Sequence, residues 1–161
     1  MTHESIRPFA SDDDVEWCAR VMAGSEPWIT LGRGVDESRS ILSDTRKERF
    51  VAQQGGERAG FLVLNMAGAF AGYVQVVCVA PAFRRCGIGM ALLRFAEERV
   101  FRDSPNIFLC VSSFNEGARR LYLRLGYLPV GELPDYLVAG HSELLMRKTI
   151  GPLHGFTPAA R

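Results

Sequence analysis

Apolar residues recur along this chain with two different periods, and the switches between them mark its elements. From Tyr73 to Val79 only Gln75 interrupts an apolar, β-branched run, too short for a helix and bounded by Gly72 and Pro81. That pattern predicts a buried strand. From Ile88 onward the apolar positions return every four residues, at Leu92, Ala96 and Val100, while Arg94, Glu97, Glu98 and Arg102 cover the far side. This spacing predicts an amphipathic helix of about four turns.

The other elements fall in order around this strand, turn and helix. Residues 4–9 predict a short first strand ending at Pro8. Ser11 then offers an N-cap, Asp12 to Asp14 place negative charge in the first turn, and Val15, Cys18, Ala19 and Met22 share one face of a first helix. The stretch from Gly24 to Gly34 is cut by glycine and proline yet carries Trp28, Ile29 and Leu31. A loop with that much apolar surface packs on a core or lines a pocket. A second helix over about 35–44 precedes strands at Arg49–Gln53 and Ala59–Met66, joined by a hairpin turn at Gln54–Glu57.

Beyond the central helix, Asn106–Ser112 predicts a second buried strand, parallel to the first because a helix crosses over between them. Asn115 is placed to cap a helix whose Ala118, Leu121, Tyr122 and Leu125 share a face, and Gly126 takes the position that ends it. Strands at about Tyr127–Glu132 and Ser142–Thr149 follow. With no repeat or linker in view, residues 1–150 are expected to form a single domain, and 151–161 a surface tail.

Composition narrows the chemistry. Nineteen basic against eighteen acidic residues give a net charge of +1, which argues against a general electrostatic grip on nucleic acid or membrane. Any anion site must be local. Cys18, Cys78, Cys86 and Cys110 show no Cys-x-x-Cys spacing, and no His, Cys or carboxylate cluster has metal-ligand spacing. They are read as buried or semi-buried free thiols of a reducing, cytoplasmic setting, and no metal is expected. The first residues lack an apolar signal-like core, and no apolar run reaches membrane-spanning length.

A local anion site is what the central turn offers. Gly87 and Gly89 lie where the first helical amides have no carbonyl partner, so several N–H groups point outward and glycine lets a phosphate approach them. Arg84 and Arg85 add full charges. The physical reading is a diphosphate cradle, beside the plain alternative of an ordinary strand-to-helix turn. No Gly-Lys-Ser/Thr follows, which excludes a Walker loop, and the dinucleotide fingerprint lacks its third glycine.

The Arg84-x-x-Gly87-x-Gly89 turn, set between such a strand and helix, resembles motif A of the GNAT acetyltransferases, and Asn115, Ala118, Leu121-Tyr122 and Gly126-Tyr127 resemble motif B. The two motifs cover about residues 73–149. The resemblance implies an α/β (α+β) fold: a mixed, largely antiparallel sheet with two splayed parallel central strands and flanking helices, and acetyl-coenzyme A wedged between those strands. It implies that the backbone of Cys78 and Val79 binds the pantetheine arm, that the amides of Arg84, Arg85, Cys86, Gly87, Ile88, Gly89 and Met90 bind the diphosphate, and that Asn115 meets the arm near the thioester. Tyr122 then matches the superfamily's general acid, a phenol that protonates the leaving thiolate, where periodicity alone would make it a core tyrosine.

The general base is not evident. Many relatives place Glu on the central strand or the next, where this chain has Tyr73 and Cys110. Some protein amino-terminal acetyltransferases hold a water with Tyr and His there, and Tyr73 keeps half of that arrangement. His141 and Glu143 are candidates to act as base or to grip the substrate amine, beside the plain alternative of solvated turn residues. Trp28 and the Asp135-Tyr136 loop are candidate acceptor contacts, and one of Arg119, Arg120 and Arg124 is a candidate for the cofactor's 3′-phosphate.

The expectation is an N-acetyltransferase acting directly on an amine-bearing acceptor, with a protein or peptide amino terminus preferred over a small amine. Two alternatives stay open: a coenzyme-binding module without catalysis, and a thiol acyltransferase using Cys110 with His141. An apolar edge on the final strand is compatible with a homodimer.

Overall fold

The computed structural model describes residues 6–159. Strands β1 (Ile6–Pro8), β2 (Glu48–Gln54), β3 (Glu57–Asn65), β4 (Tyr73–Val79), β5 (Asn106–Ser112), β6 (Leu128–Leu133) and β7 (Glu143–Thr149) form one sheet in the order β1-β2-β3-β4-β5-β7-β6. Helices α1 (Asp12–Ala23), α2 (Val35–Leu42), α3 (Ile88–Val100) and α4 (Glu116–Arg124) complete the element order. All strand pairs are antiparallel except β4 with β5, which run parallel as the crossover through α3 requires.

The sheet separates two apolar clusters. On one side Ile88, Leu92, Leu93, Ala96 and Val100 of α3 pack with Leu62, Leu64, Val74, Leu109 and Met146. On the other, Val15, Cys18, Ala19 and Met22 of α1 and Leu42 of α2 pack with Phe61, Val63, Val76 and Cys78. Helix α3 lies unusually close to the sheet at Gly60, where a Cβ would sit 2.7 Å from the Cys78 carbonyl oxygen and 3.1 Å from Ile88 Cγ2.

Val74 and Val76 face opposite helices although two residues apart, which regular alternation forbids. The β3–β4 register explains it: Val63 pairs with Val76 but Leu64 pairs with Val74, so Gln75 is an extra, bulged residue. Pairing of β4 with β5 is limited to Tyr73↔Phe108 and Val74↔Leu109. Past the bulge the two strands part.

Most predicted elements stand within a residue or two of their expected limits. Residues 4 and 5 of the first strand lie outside the described residues. Three expectations change. Ser11 occupies the α1 N-cap, but its side chain makes no capping hydrogen bond; Asp14 accepts from the Ala10 N–H instead, at 2.8 Å. The apolar edge belongs to β6, with Leu128 and Val130 exposed, because β7 is paired on both sides. Cys86 is exposed rather than buried, since its turn stands off the core, while Cys18 and Cys78 are buried and Cys110 is half-buried, all free.

Asp14 does more than decorate a helix start. Its buried carboxylate accepts from Arg7 at 2.7 and 3.1 Å and from Arg58 Nε at 2.8 Å, tying α1 to β1 and β3. These bonds, Arg7's first, hold its pKa well below the usual carboxylate range against the opposing effect of burial. Because the folded pKa is depressed, this stabilisation is complete above the unfolded carboxylate's value of about 4 and is lost as pH falls below it. Asp14→Ala leaves two guanidiniums without their partner and should cost on the order of 3 kcal/mol, read as a lower midpoint in urea unfolding. The gap between variant and wild type should narrow as the titration is carried into acid.

Candidate functional site

The parting of β4 and β5 opens a cleft of about 1040 Å³, walled by both strands, the start of α3, one face of α4 and the loop after α1. Its two ends differ in chemistry.

One end is cationic and rich in main-chain donors. From Val76 to Val79 strand β4 keeps β3 on one side but has no strand on the cleft side, so part of its peptide edge faces the opening. A short 3₁₀ turn, Pro81–Phe83, leads into Arg84, and Arg85 and Gly87 take positive φ values of 62° and 83° before α3 begins. Two left-handed residues so close together bend the chain sharply at the opening, which Arg84, Arg85, Gly87, Ile88, Gly89 and Met90 line. No acidic residue stands in the first turn of α3, and the amides of Ile88, Gly89 and Met90 precede the first intrahelical bond, Ala91 N–H to the Gly87 carbonyl at 3.0 Å. Space beside Gly87 is open, so its glycine is demanded by φ rather than by crowding. Arg84 is not a free charge: it donates to Ser25 Oγ at 3.3 Å and to the Val79 carbonyl at 3.4 Å, bridging the turn to the loop after α1.

Asn115, which lines the cleft, stands at the α4 N-cap, where its side-chain oxygen accepts from the Ala118 N–H at 3.3 Å. Tyr122 also lines the cleft but is 6% exposed, with its ring 6.0 Å from that of the fully buried Tyr127. Burial raises its pKa, so the phenol holds its proton.

The other end gathers polar groups on few elements. Strand register sets Ser112 opposite Glu143, and the Glu143 carboxylate, 4% exposed, accepts from Ser112 Oγ at 2.5 Å. Burial raises the Glu143 pKa; the Ser112 hydrogen bond and the charge of Arg33 partly oppose it. Tyr73 and Cys110 stand side by side in the cleft wall, and burial raises both of their pKa values. Trp28, buried in the α1 cluster, and the exposed Tyr136 border this end.

Of the expected acceptor contacts, Trp28, Tyr136 and Glu143 line the cleft, and His141 does not. Its ring packs edge-on against Phe114 at 4.8 Å, and its carbonyl accepts from the Asp135 N–H at 3.1 Å. Arg33 and Ser112 are cleft residues that the sequence did not single out. Ser112 was legible as a neighbour of Glu143 only once the β5–β7 register was known. Arg33, between two glycines in an irregular loop, gave no signal.

A parted parallel pair, a helix start with unbonded amides at one end and a buried carboxylate at the other make this a split-sheet α/β domain with a cleft across the parting. The chain belongs to the acetyltransferase (GNAT) family, whose model matches residues 13–127. It is 31% identical over 111 residues to an N-alpha-acetyltransferase of Sulfurisphaera tokodaii, covering 60% of this chain and 66% of that protein. It is 28% identical over 146 residues to the N-alpha-acetyltransferase RimI of Mycobacterium tuberculosis, covering 86% and 88% of the two chains. The chain thus spans just under two thirds of the length of some curated relatives it matches. A solved aminoglycoside 6′-N-acetyltransferase complexed with coenzyme A has the same fold, with TM-score 0.74 and 19% identity over 91% of this chain and 97% of that one.

The Glu143 environment yields a direct check. Ser112→Ala removes the hydrogen bond that holds the carboxylate's pKa down, so carbon-detected NMR titration should show Glu143, already above ordinary glutamates, moving higher still. No movement would mean that Ser112 does not bond the carboxylate in solution.

Proposed function

We propose that this protein transfers the acetyl group of acetyl-coenzyme A directly to the primary amine of a protein or peptide amino terminus. The observation that carries the reading is the pairing, in one cleft, of a helix-start cradle with a buried, proton-accepting carboxylate. The names of the two curated relatives support the acceptor class.

The residues present fit the cofactor. The open amides at Arg85 to Met90 match a diphosphate in charge and in backbone access, and the free edge of β4 at Cys78 and Val79 offers the rungs that β5 withholds. Asn115 keeps an amide group for the arm, and Arg120 and Arg124 line the same end for a peripheral phosphate. When bound, the thioester supplies an activated acetyl group.

Each protein group then has one task. Glu143 takes the proton that an ammonium must lose before it attacks; its raised pKa brings it nearer to neutral pH, where a base works best. As the new carbon–nitrogen bond formed and the carbon–sulfur bond broke, Tyr122 Oη would give its proton to the departing sulfur, and the second proton lost by the amine nitrogen would restore the phenol. Tyr73, kept neutral, orients the amine through its hydroxyl rather than acting as an anionic base. Glu143 supplies the carboxylate that the central strands lack, which weakens the case for a binding module. Burial raises the Cys110 thiol pKa and His141 lies off the cleft, so nothing supports a thiol nucleophile.

Two experiments test this reading. Gly87→Asp places a carboxylate in the cradle and forces a strained φ, so calorimetry should show coenzyme A binding lost; unchanged affinity would remove the cradle from the mechanism. Tyr122→Phe and Glu143→Gln should each lower kcat about a hundredfold with coenzyme affinity nearly kept, while Cys110→Ala should still turn over. A full-rate Tyr122→Phe enzyme would make Tyr122 a packing residue only.

A further inference from the structure

Resting on that reading, we infer that Arg33 selects acceptors carrying a carboxylate beside the amine that is acetylated. Arg33 lines the acceptor end, half-buried, and its charge reaches Glu143. Among the described residues it forms no ion pair, whereas Glu26, the other carboxylate on this wall, is occupied by the Thr30 N–H and hydroxyl at 3.1 and 3.0 Å. The arginine is also well placed: its N–H donates to the Trp28 carbonyl at 2.9 Å, and the Trp28 side chain is anchored in the α1 cluster.

Charge bookkeeping gives the direction. With Glu143 ionised and Arg33 charged, an arriving ammonium leaves this partly buried end with one surplus positive charge. A carboxylate on the acceptor cancels it. The balance survives the reaction, because moving the amine proton to Glu143 leaves Arg33 paired with the acceptor's carboxylate. The shared chemistry is therefore an amine and a carboxylate within one residue of each other. An amino terminus beginning with Asp or Glu provides it, and so does a free α-amino acid.

The test is acetylation of short carboxamide-ended peptides differing only in the first residue, Asp, Asn or Lys, with alanine against alaninamide as the free-amino-acid arm. The wild type should favour Asp over Asn by about tenfold in kcat/KM, the size of one charge-assisted hydrogen bond. Arg33→Gln should bring the two together, and Arg33→Glu should turn the preference toward Lys. Equal rates for Asp and Asn in the wild type, or a ratio that survives Arg33→Gln, would overturn the inference while leaving acetyl transfer intact. Should either variant fail to fold, the wild-type Asp-to-Asn ratio must still fall with added salt; a constant ratio overturns the inference. If only alanine turns over and alaninamide does not, the carboxylate is read on a free amino acid and the peptide acceptor is wrong. If coenzyme binds and no amine is acetylated, both readings fall.

Discussion

Everything at this site depends on one irregularity in hydrogen bonding, the bulge at Gln75. Two rungs, Tyr73↔Phe108 and Val74↔Leu109, are all that join β4 to β5. A regular pair would have continued to Val77, opposite Ser112, and closed the sheet over that length. Instead the bulge turns Val76 and Cys78 toward α1 and leaves the strand's cleft edge without a partner. An unpaired strand edge inside a protein is costly unless something bonds to it. Here the cost is met by placing the edge in an opening wide enough for a ligand. The left-handed turn at Arg85 and Gly87 then aims the start of α3 into the same space.

The electrostatics are as local as the net charge demanded. Arg84, Arg85 and main-chain amides sit at one end of the cleft and Glu143 with Arg33 at the other, while the ion pairs of Asp14 with Arg7 and Arg58 and of Arg99 with Glu48 hold elements together elsewhere. Burial acts alike on two groups along the cleft. It raises the pKa of both the Tyr122 phenol and the Glu143 carboxyl. Under the proposed reaction the same physical effect would suit one to give a proton and the other to take one.

Much of this was written in the residue pattern. Periodicity located α3, α4 and the two central strands, and the glycines at 87 and 89 marked the cradle, because those signals are local in sequence. The bulge was hidden: Val74, Val76, Val77 and Cys78 are apolar on both faces, so a reversal of facing leaves no trace. His141 and Glu143 looked equivalent, two residues apart, yet only Glu143 lies inside β7, on the face opposite Met146 and across from Ser112. That distinction is a matter of register between distant segments. Arg33 is invisible for the same reason, since its importance comes from a glutamate more than a hundred residues further on.

The two-rung junction also bears on how the molecule keeps its shape. Strands β1 to β4 form one half-sheet and β5, β7 and β6 another, and between them the peptide ladder is nearly absent. A ligand lying in the parting would supply the missing rungs and would bind only when both halves are in place. Its binding energy is then shared with folding, growing with the logarithm of the free ligand concentration. The amount of intact protein, and its resistance to proteolysis, would then rise and fall with the supply of that ligand.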